Sequence, residues 1–157
     1  MLVNFAQQIG SVTQTEPQHC FESSEERPDA LIILGGQRYL VDVSVVCPTN
    51  PSNVGHGQKM LGAAALREKE KNEKYEQQAA AIGAEFVPFV MEITGAMGNQ
   101  ASEFLNVLSI YSKEHSVIYS SREFGNSIRA ALACTIHRGN AWIAASGRTK
   151  TILSAHA

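Results

Sequence analysis

The sequence predicts an α/β fold in which a central mixed sheet is flanked by helices, with further helices at the C-terminal end. Three observations predict it. Residues 30–46 hold two apolar runs, ALIIL and YLVDVSVV, on either side of a Gly35-Gly36 pair, which is the pattern of a β-hairpin. Residues 58–82 carry no proline and are rich in Ala, Glu, Lys and Gln, a helix composition. A further apolar run, EFVPFVMEI at 85–93, follows that helix directly and can return to the same sheet.

Taken in order, residues 1–9 read as a short helix ending at Gly10, and residues 11–17 (SVTQTEP) as a strand of loose alternation. Residues 19–27 are polar and acidic and read as a loop. In the hairpin, the first strand is 30–34 and the second 39–46. The second is apolar on both faces apart from Asp42 and Ser44, which is expected of a buried strand. Residues 47–57 contain Pro48, Pro51, Gly55 and Gly57 and form a loop before the helix of 58–82, which Gly83 is placed to end. Pro88, lacking an N–H, puts the strand of 85–93 at a sheet edge or at a bulge. Gly95 and Gly98 open a turn, after which residues 99 to about 115 and 121 to about 137 read as two more helices.

Composition bounds the function. A chain of 157 residues suits one domain spanning 1–157, and 44% hydrophobic residues exclude a disordered tail. No apolar run reaches the roughly 18–20 residues of a spanning helix, so no membrane is expected as a partner. The N-terminus lacks the basic flank and long apolar stretch of a signal peptide. Cys20, Cys47 and Cys134 are odd in number, widely spaced and without a CxxC pair. They form neither a disulfide framework nor a zinc site, and a reducing compartment, nuclear or cytoplasmic, is expected. A net charge of −2 argues against a nucleic-acid coat protein, although Lys59, Arg67, Lys69, Lys71 and Lys74 cluster in one segment.

Two acids stand out. Asp29 follows Pro28 just before the first hairpin strand, and Asp42 lies inside the second, between Val41 and Val43. Pairing the strands about Gly35-Gly36 brings positions 29 and 42 together at the end away from the turn. Adjacent carboxylates repel unless a proton or cation intervenes, and Mg²⁺ suits hard oxygen ligands of this kind. The competing reading is structural: Asp29 caps a turn and Asp42 pairs with a lysine. At 100° per residue, Leu61, Ala64, Glu68, Tyr75, Ala79 and Ile82 share one face of the helix, with Lys71 on its edge and Lys74 further out. Laid on the sheet, that face carries Lys71, with Glu68 beside it, toward the strand ends. A lysine there can hold a scissile phosphate or orient an attacking water. The alternative is a solvated run, since REKEKNEK (67–74) alternates charge and can form i,i+4 pairs. Glu92, closing the strand of 85–93, is either a metal or water contact or a surface carboxylate. The histidines 19, 56, 115, 137 and 156 have no ligand spacing, and neither a GxSxG elbow nor a phosphate-cradling glycine loop is present.

Arg27-Pro28-Asp29, Asp42 within Val-Asp-Val after a gap of twelve residues, and Lys71-x-x-Lys74-Tyr75 on a helix resemble the restriction-like, PD-(D/E)xK endonuclease of non-LTR retrotransposon polyproteins. GAEFVPFVMEITG (83–95) is similar to the segment after that helix in the same group, and RGNAWIA (138–144) to the end of their polyproteins. The resemblance implies a restriction-endonuclease-like core and hydrolysis of a DNA phosphodiester with Mg²⁺, or Mn²⁺ in its place. In that setting one target strand is nicked and its 3′-OH primes reverse transcription. Asp29 and Asp42 carry over as metal ligands, Lys71 as the catalytic lysine and Lys74 as its understudy. Tyr75 carries over as a support of helix register or a phosphate contact, and Glu16 as an extra acid. The standard pattern has a lysine two residues after the second acid; here that position is Ser44, so Lys71 must supply the ammonium from the helix. The implied partners are DNA and other polyprotein modules such as a reverse transcriptase, a module this chain does not carry. The rival implications are an inactive DNA-binding or scaffold relic of the same fold, and a repair or resolvase-type nuclease.

Overall fold

The computed structural model of the chain describes residues 1–18, 20, 27–53, 55, 59–115 and 120–155, with 147–155 described through their backbone. The elements run α1 (Leu2–Gln8), β1 (Val12–Thr15), β2 (Ala30–Leu34), β3 (Gln37–Val46), α2 (Gly62–Ala81), β4 (Ala84–Glu92), α3 (Asn99–His115) and α4 (Ser121–Ala155). The strands form one sheet in the order β1-β2-β3-β4. The first three pair antiparallel, and β4 pairs parallel with β3 once α2 has carried the chain back. The architecture is therefore α/β with a mixed sheet flanked by helices. No helix of the described residues is long and apolar enough to cross a membrane.

The hairpin forms as its sequence dictates. Leu34 pairs with Gln37, which leaves Gly35 and Gly36 as a two-residue loop with φ of 55° and 91°. Positive φ at both positions matches the right-handed strand twist and favours glycine. Gly10 and Gly83, with φ of 81° and 69°, likewise close α1 and α2 where the sequence places stops. Pro88 lies on β4, the edge strand of the sheet, where its missing N–H faces no ladder partner.

Side chains of alternating parity divide between two unequal cores. On one face Ile32, Leu34, Tyr39, Val41, Val87, Phe89 and Met91 meet α1, α3 and α4 through Leu2, Phe104, Leu105, Leu108, Phe124 and Ile128. On the other, Leu31, Leu40, Ala84 and Phe86 meet Ala79 and the half-buried Tyr75 and Ile82 of α2 and its C-cap, with Cys20 also packed against them. The α2 face is thinly packed, and it is the face on which Asp42 lies.

Two helix boundaries differ from expectation. α2 starts at Gly62, because Leu61 before it adopts a left-handed conformation (φ 58°) that no side chain caps; Gln58 lies outside the described residues. The last helix does not stop near 137 but runs to Ala155. Residues 138–155 contain no proline, and a lone glycine such as Gly139 costs a helix only about 1 kcal/mol. Asn140 pins this extension by donating from Nδ2 to the Ile93 carbonyl at 2.8 Å, while Trp142 and Ile143 stay exposed. Of the loop expected at 19–27, positions 19 and 21–26 lie outside the described residues, as do His56 and His156.

Candidate active site

The β2–β3 ladder ends at Ala30 opposite Val41, while β3 continues to Val46 with β4 alone beside it. Asp29 and Asp42 follow that last pair, one on each chain segment, where the hairpin opens. The backbone N–H of Val43 has no strand partner on that side, and Asp29 supplies one: its Oδ2 accepts from Val43 N at 2.6 Å. The Asp29 carbonyl in turn accepts from Glu16 N at 2.9 Å, which ties the end of β1 to the same corner. Pro28 is buried and Asp29 is exposed, so the Pro-Asp step anchors the chain on one side and offers a carboxylate to solvent on the other.

Asp42 shares the α2 face with Leu40, and Lys71 descends onto it from the middle of α2. Lys71 Nζ and Asp42 Oδ2 form a direct ion pair, with side chains 12% and 14% exposed. Of the two sequence readings of Asp42, the structure shows the partner for a lysine. The ammonium comes from α2, while Ser44 stands two residues after Asp42 on β3. Lys74 is exposed, with Nζ 5.1 Å from the centroid of the Tyr75 ring; Lys71 Nζ lies 6.0 Å from the same ring. Tyr75 itself packs on Phe86 of β4, with ring centroids 5.3 Å apart. It therefore holds this turn of α2 to the sheet while touching both lysines.

The other candidate acids are placed differently. Glu16 is exposed at the end of β1 and reaches the corner through its backbone N–H. Glu92 is opposite Val46, four positions along from the Asp42–Pro88 pair and hence about 13 Å away along the strand. It is buried rather than a surface carboxylate, and the turn from Glu92 to Ala96 closes over it through Glu92 N to Ala96 O at 2.8 Å. Glu68 is 4% exposed and turns away from Asp42, accepting from Gln100 N at 2.9 Å in the first turn of α3. Among the described residues no group of three or more His, Cys, Asp or Glu converges as a metal cage. What the described residues bring together is Lys71 and Asp42, with Asp29 bonded to Val43 N next along β3.

No known family model matches the chain. It is 31% identical over 151 residues to the Retrotransposable element SLACS 132 kDa protein of Trypanosoma brucei gambiense, an alignment taking in 88% of this chain and 12% of that protein. The likeness is to part of a retrotransposon protein. The chain thus spans about an eighth of the length of the relative it matches.

Sequence reasoning did not find the Val43 N–H as the partner of Asp29, nor the partner of Glu68. The first had a signal, since a strand that outruns its neighbour leaves N–H groups to satisfy. The second had none, because Gln100 is 32 residues from Glu68. Burial pushes the Glu68 carboxyl above the usual carboxylate range. The amides of Gln100 and Ala101 pull it back, and Glu103 adds repulsion. A native value above the unfolded one means that the folded chain keeps a proton the unfolded chain releases. Stability is then lost as pH rises from the unfolded value, about 4.3, through the raised native one. Denaturant titrations across that range should show Glu68→Gln gaining on the wild type as pH rises, then levelling off; a difference independent of pH contradicts this.

Proposed function

We propose that the chain is a Mg²⁺-dependent DNA endonuclease with a restriction-endonuclease-like core, of the type that nicks target DNA for retrotransposon insertion. One observation carries the reading: an ammonium delivered from a helix onto Asp42, at the point where the hairpin sets Asp29 beside it. The four-stranded mixed sheet flanked by helices supports it, as does the likeness to a retrotransposon protein.

The donor chemistry fits the cation. Mg²⁺ is commonly held by one or two carboxylates, keeping several waters and substrate phosphate oxygens as its other ligands. Asp29, just before β2, and Asp42, on β3, offer hard oxygens, and in each the hydrogen bond described above engages Oδ2. Asp29 and Asp42 would hold Mg²⁺, whose chemistry there would be Lewis acidity toward a phosphate oxygen and a lowered pKa of bound water. Lys71 has three N–H donors, of which one meets Asp42. The others are available to a phosphate oxygen, where a fixed ammonium stabilises the extra negative charge of a five-coordinate transition state. Lys74, exposed one turn from Lys71, is suited to the flanking backbone phosphate, and Tyr75 keeps both lysines on this side of α2.

Two measurements on the wild-type protein test the reading. Millimolar Mg²⁺ should raise its thermal midpoint beyond an ionic-strength control, because a ligand that binds only the folded state stabilises it. Supercoiled plasmid should be converted to the nicked form when Mg²⁺ or Mn²⁺ is added and not in chelator. Absence of both effects identifies an inert fold that binds or scaffolds. Preferential cleavage of four-way over linear and nicked substrates identifies a resolvase-type enzyme instead.

A further inference from the structure

On its N-terminal side, the part of α2 that carries Lys71 has little apolar hold on the sheet; on the other side Tyr75 packs on Phe86. Residues 67–74 read REKEKNEK, and the buried alanines of α2 lie outside them, at Ala63, Ala64 and Ala79. Between Ala64 and Ala79 the one buried side chain is Glu68, one turn before Lys71. Its carboxylate reaches α3 and accepts from Gln100 N. The joint is close-fitted. A Cβ on Gly98 would collide with Glu68 Oε1 and stand 3.2 Å from the Val90 carbonyl, which already accepts from Gly98 N at 2.9 Å. α2, the first turn of α3 and β4 thus lock together within a few residues.

Small alanines on a sheet resist separation but scarcely resist rotation, because apolar contact is non-directional. A hydrogen bond is directional and weakens steeply when misaligned. Side chains end about 6 Å from a helix axis, so a rotation of about 20° moves their tips by about 2 Å. That displacement is enough to part Lys71 from Asp42. Burying a carboxylate is unfavourable unless it is well bonded, and a leucine at 68 would pack without fixing the angle.

We propose that Glu68 is a positioning residue: its bond to the first turn of α3 sets the rotation of α2 at which Lys71 meets Asp42. This rests on the reading of Lys71 as a functional group, and it is tested by a readout that needs no cleavage. In the metal-free 157-residue chain, amine acylation followed by peptide mapping reports Lys71 against Lys69. Lys69 lies two residues away on the same helix with its side chain 73% exposed, and it serves as the internal standard. Lys71 should be protected in the wild type and deprotected about tenfold in D42N, the factor that accompanies loss of a contact worth about 1.4 kcal/mol. E68A and G98A, the second leaving Glu68 in place but displacing its carboxylate, should deprotect Lys71 to a similar degree with native circular dichroism. E68Q, which keeps an acceptor for Gln100 N, should retain protection. Nicking should follow the same order, with kcat lowered about 100-fold in E68A and G98A, the loss expected of a 1 Å misplacement. The proposal is overturned if Lys71 stays protected in folded E68A or G98A, or if E68Q loses protection. If the wild type itself does not nick, the proposed activity fails, while the Lys71:Lys69 ratio still decides the role of Glu68.

Discussion

Asp42→Ala is expected to take Mg²⁺-dependent plasmid nicking down to the level seen in chelator, and to abolish the rise in thermal midpoint that Mg²⁺ gives the wild type. Asp42 anchors Lys71 and, in the proposed mechanism, is also the strand carboxylate that would hold the cation, so its removal should strike both parts of the proposed site. Lys71→Met separates them. It leaves Asp29 and Asp42 in place, so Mg²⁺ stabilisation should persist while kcat falls about 10²–10³-fold, the loss typical of one transition-state donor. The pair is partly exposed, so breaking it should cost less than the roughly 3–5 kcal/mol of a fully buried ion pair, and both variants should remain folded. Nicking by Asp42→Ala at the wild-type rate would remove the two-aspartate site from consideration. Loss of Mg²⁺ stabilisation in Lys71→Met would show that the lysine holds the acids in place rather than the phosphate.

The largest expected effect on stability lies on the opposite face of the sheet. Phe89→Ala should lower the unfolding free energy by about 3–5 kcal/mol, measured by urea titration. Phe89 is fully buried on β4, opposite Val43 of β3, within the larger core shared with α1, α3 and α4. Its ring is replaced by a cavity that this packed core can close only in part. Asp42 and Lys71 lie on the α2 face, so their ion pair should survive in the folded fraction of Phe89→Ala, seen as retained protection of Lys71 against acylation. A loss of only about 1 kcal/mol would mean that the core relaxes around the site far more freely than close packing allows.

These two predictions mirror how the molecule is divided. The α3–α4 face of the sheet supplies most of the apolar packing, and the α2 face carries the charged groups over a small core. Lys71 remains within reach of Asp42 because α2 is held at points on either side of it: Glu68 to α3, and Tyr75 to Phe86.

What the residues alone determine is local. Two glycines between β-branched runs determine the hairpin, because positive φ at successive positions suits no other residue so well, and the period of two then sets 29 opposite 42. The 3.6-residue period of α2 likewise puts Glu68, Tyr75 and Ala79 on one face with Lys71 at its edge. Other features were decided only by the tertiary structure: that Lys71 meets Asp42 across 29 residues, that Asp29 satisfies Val43 N, that Glu68 bonds to α3 instead of joining the acids, and that Glu92 stands apart. The extension of α4 to Ala155 belongs with them, since the glycine at 139 is only a weak stop and the bond from Asn140 to Ile93 helps to hold the helix beyond it. The reason is physical. Dihedral preference and periodicity act within a few residues, whereas a contact between distant side chains is set by the summed packing of every element between them.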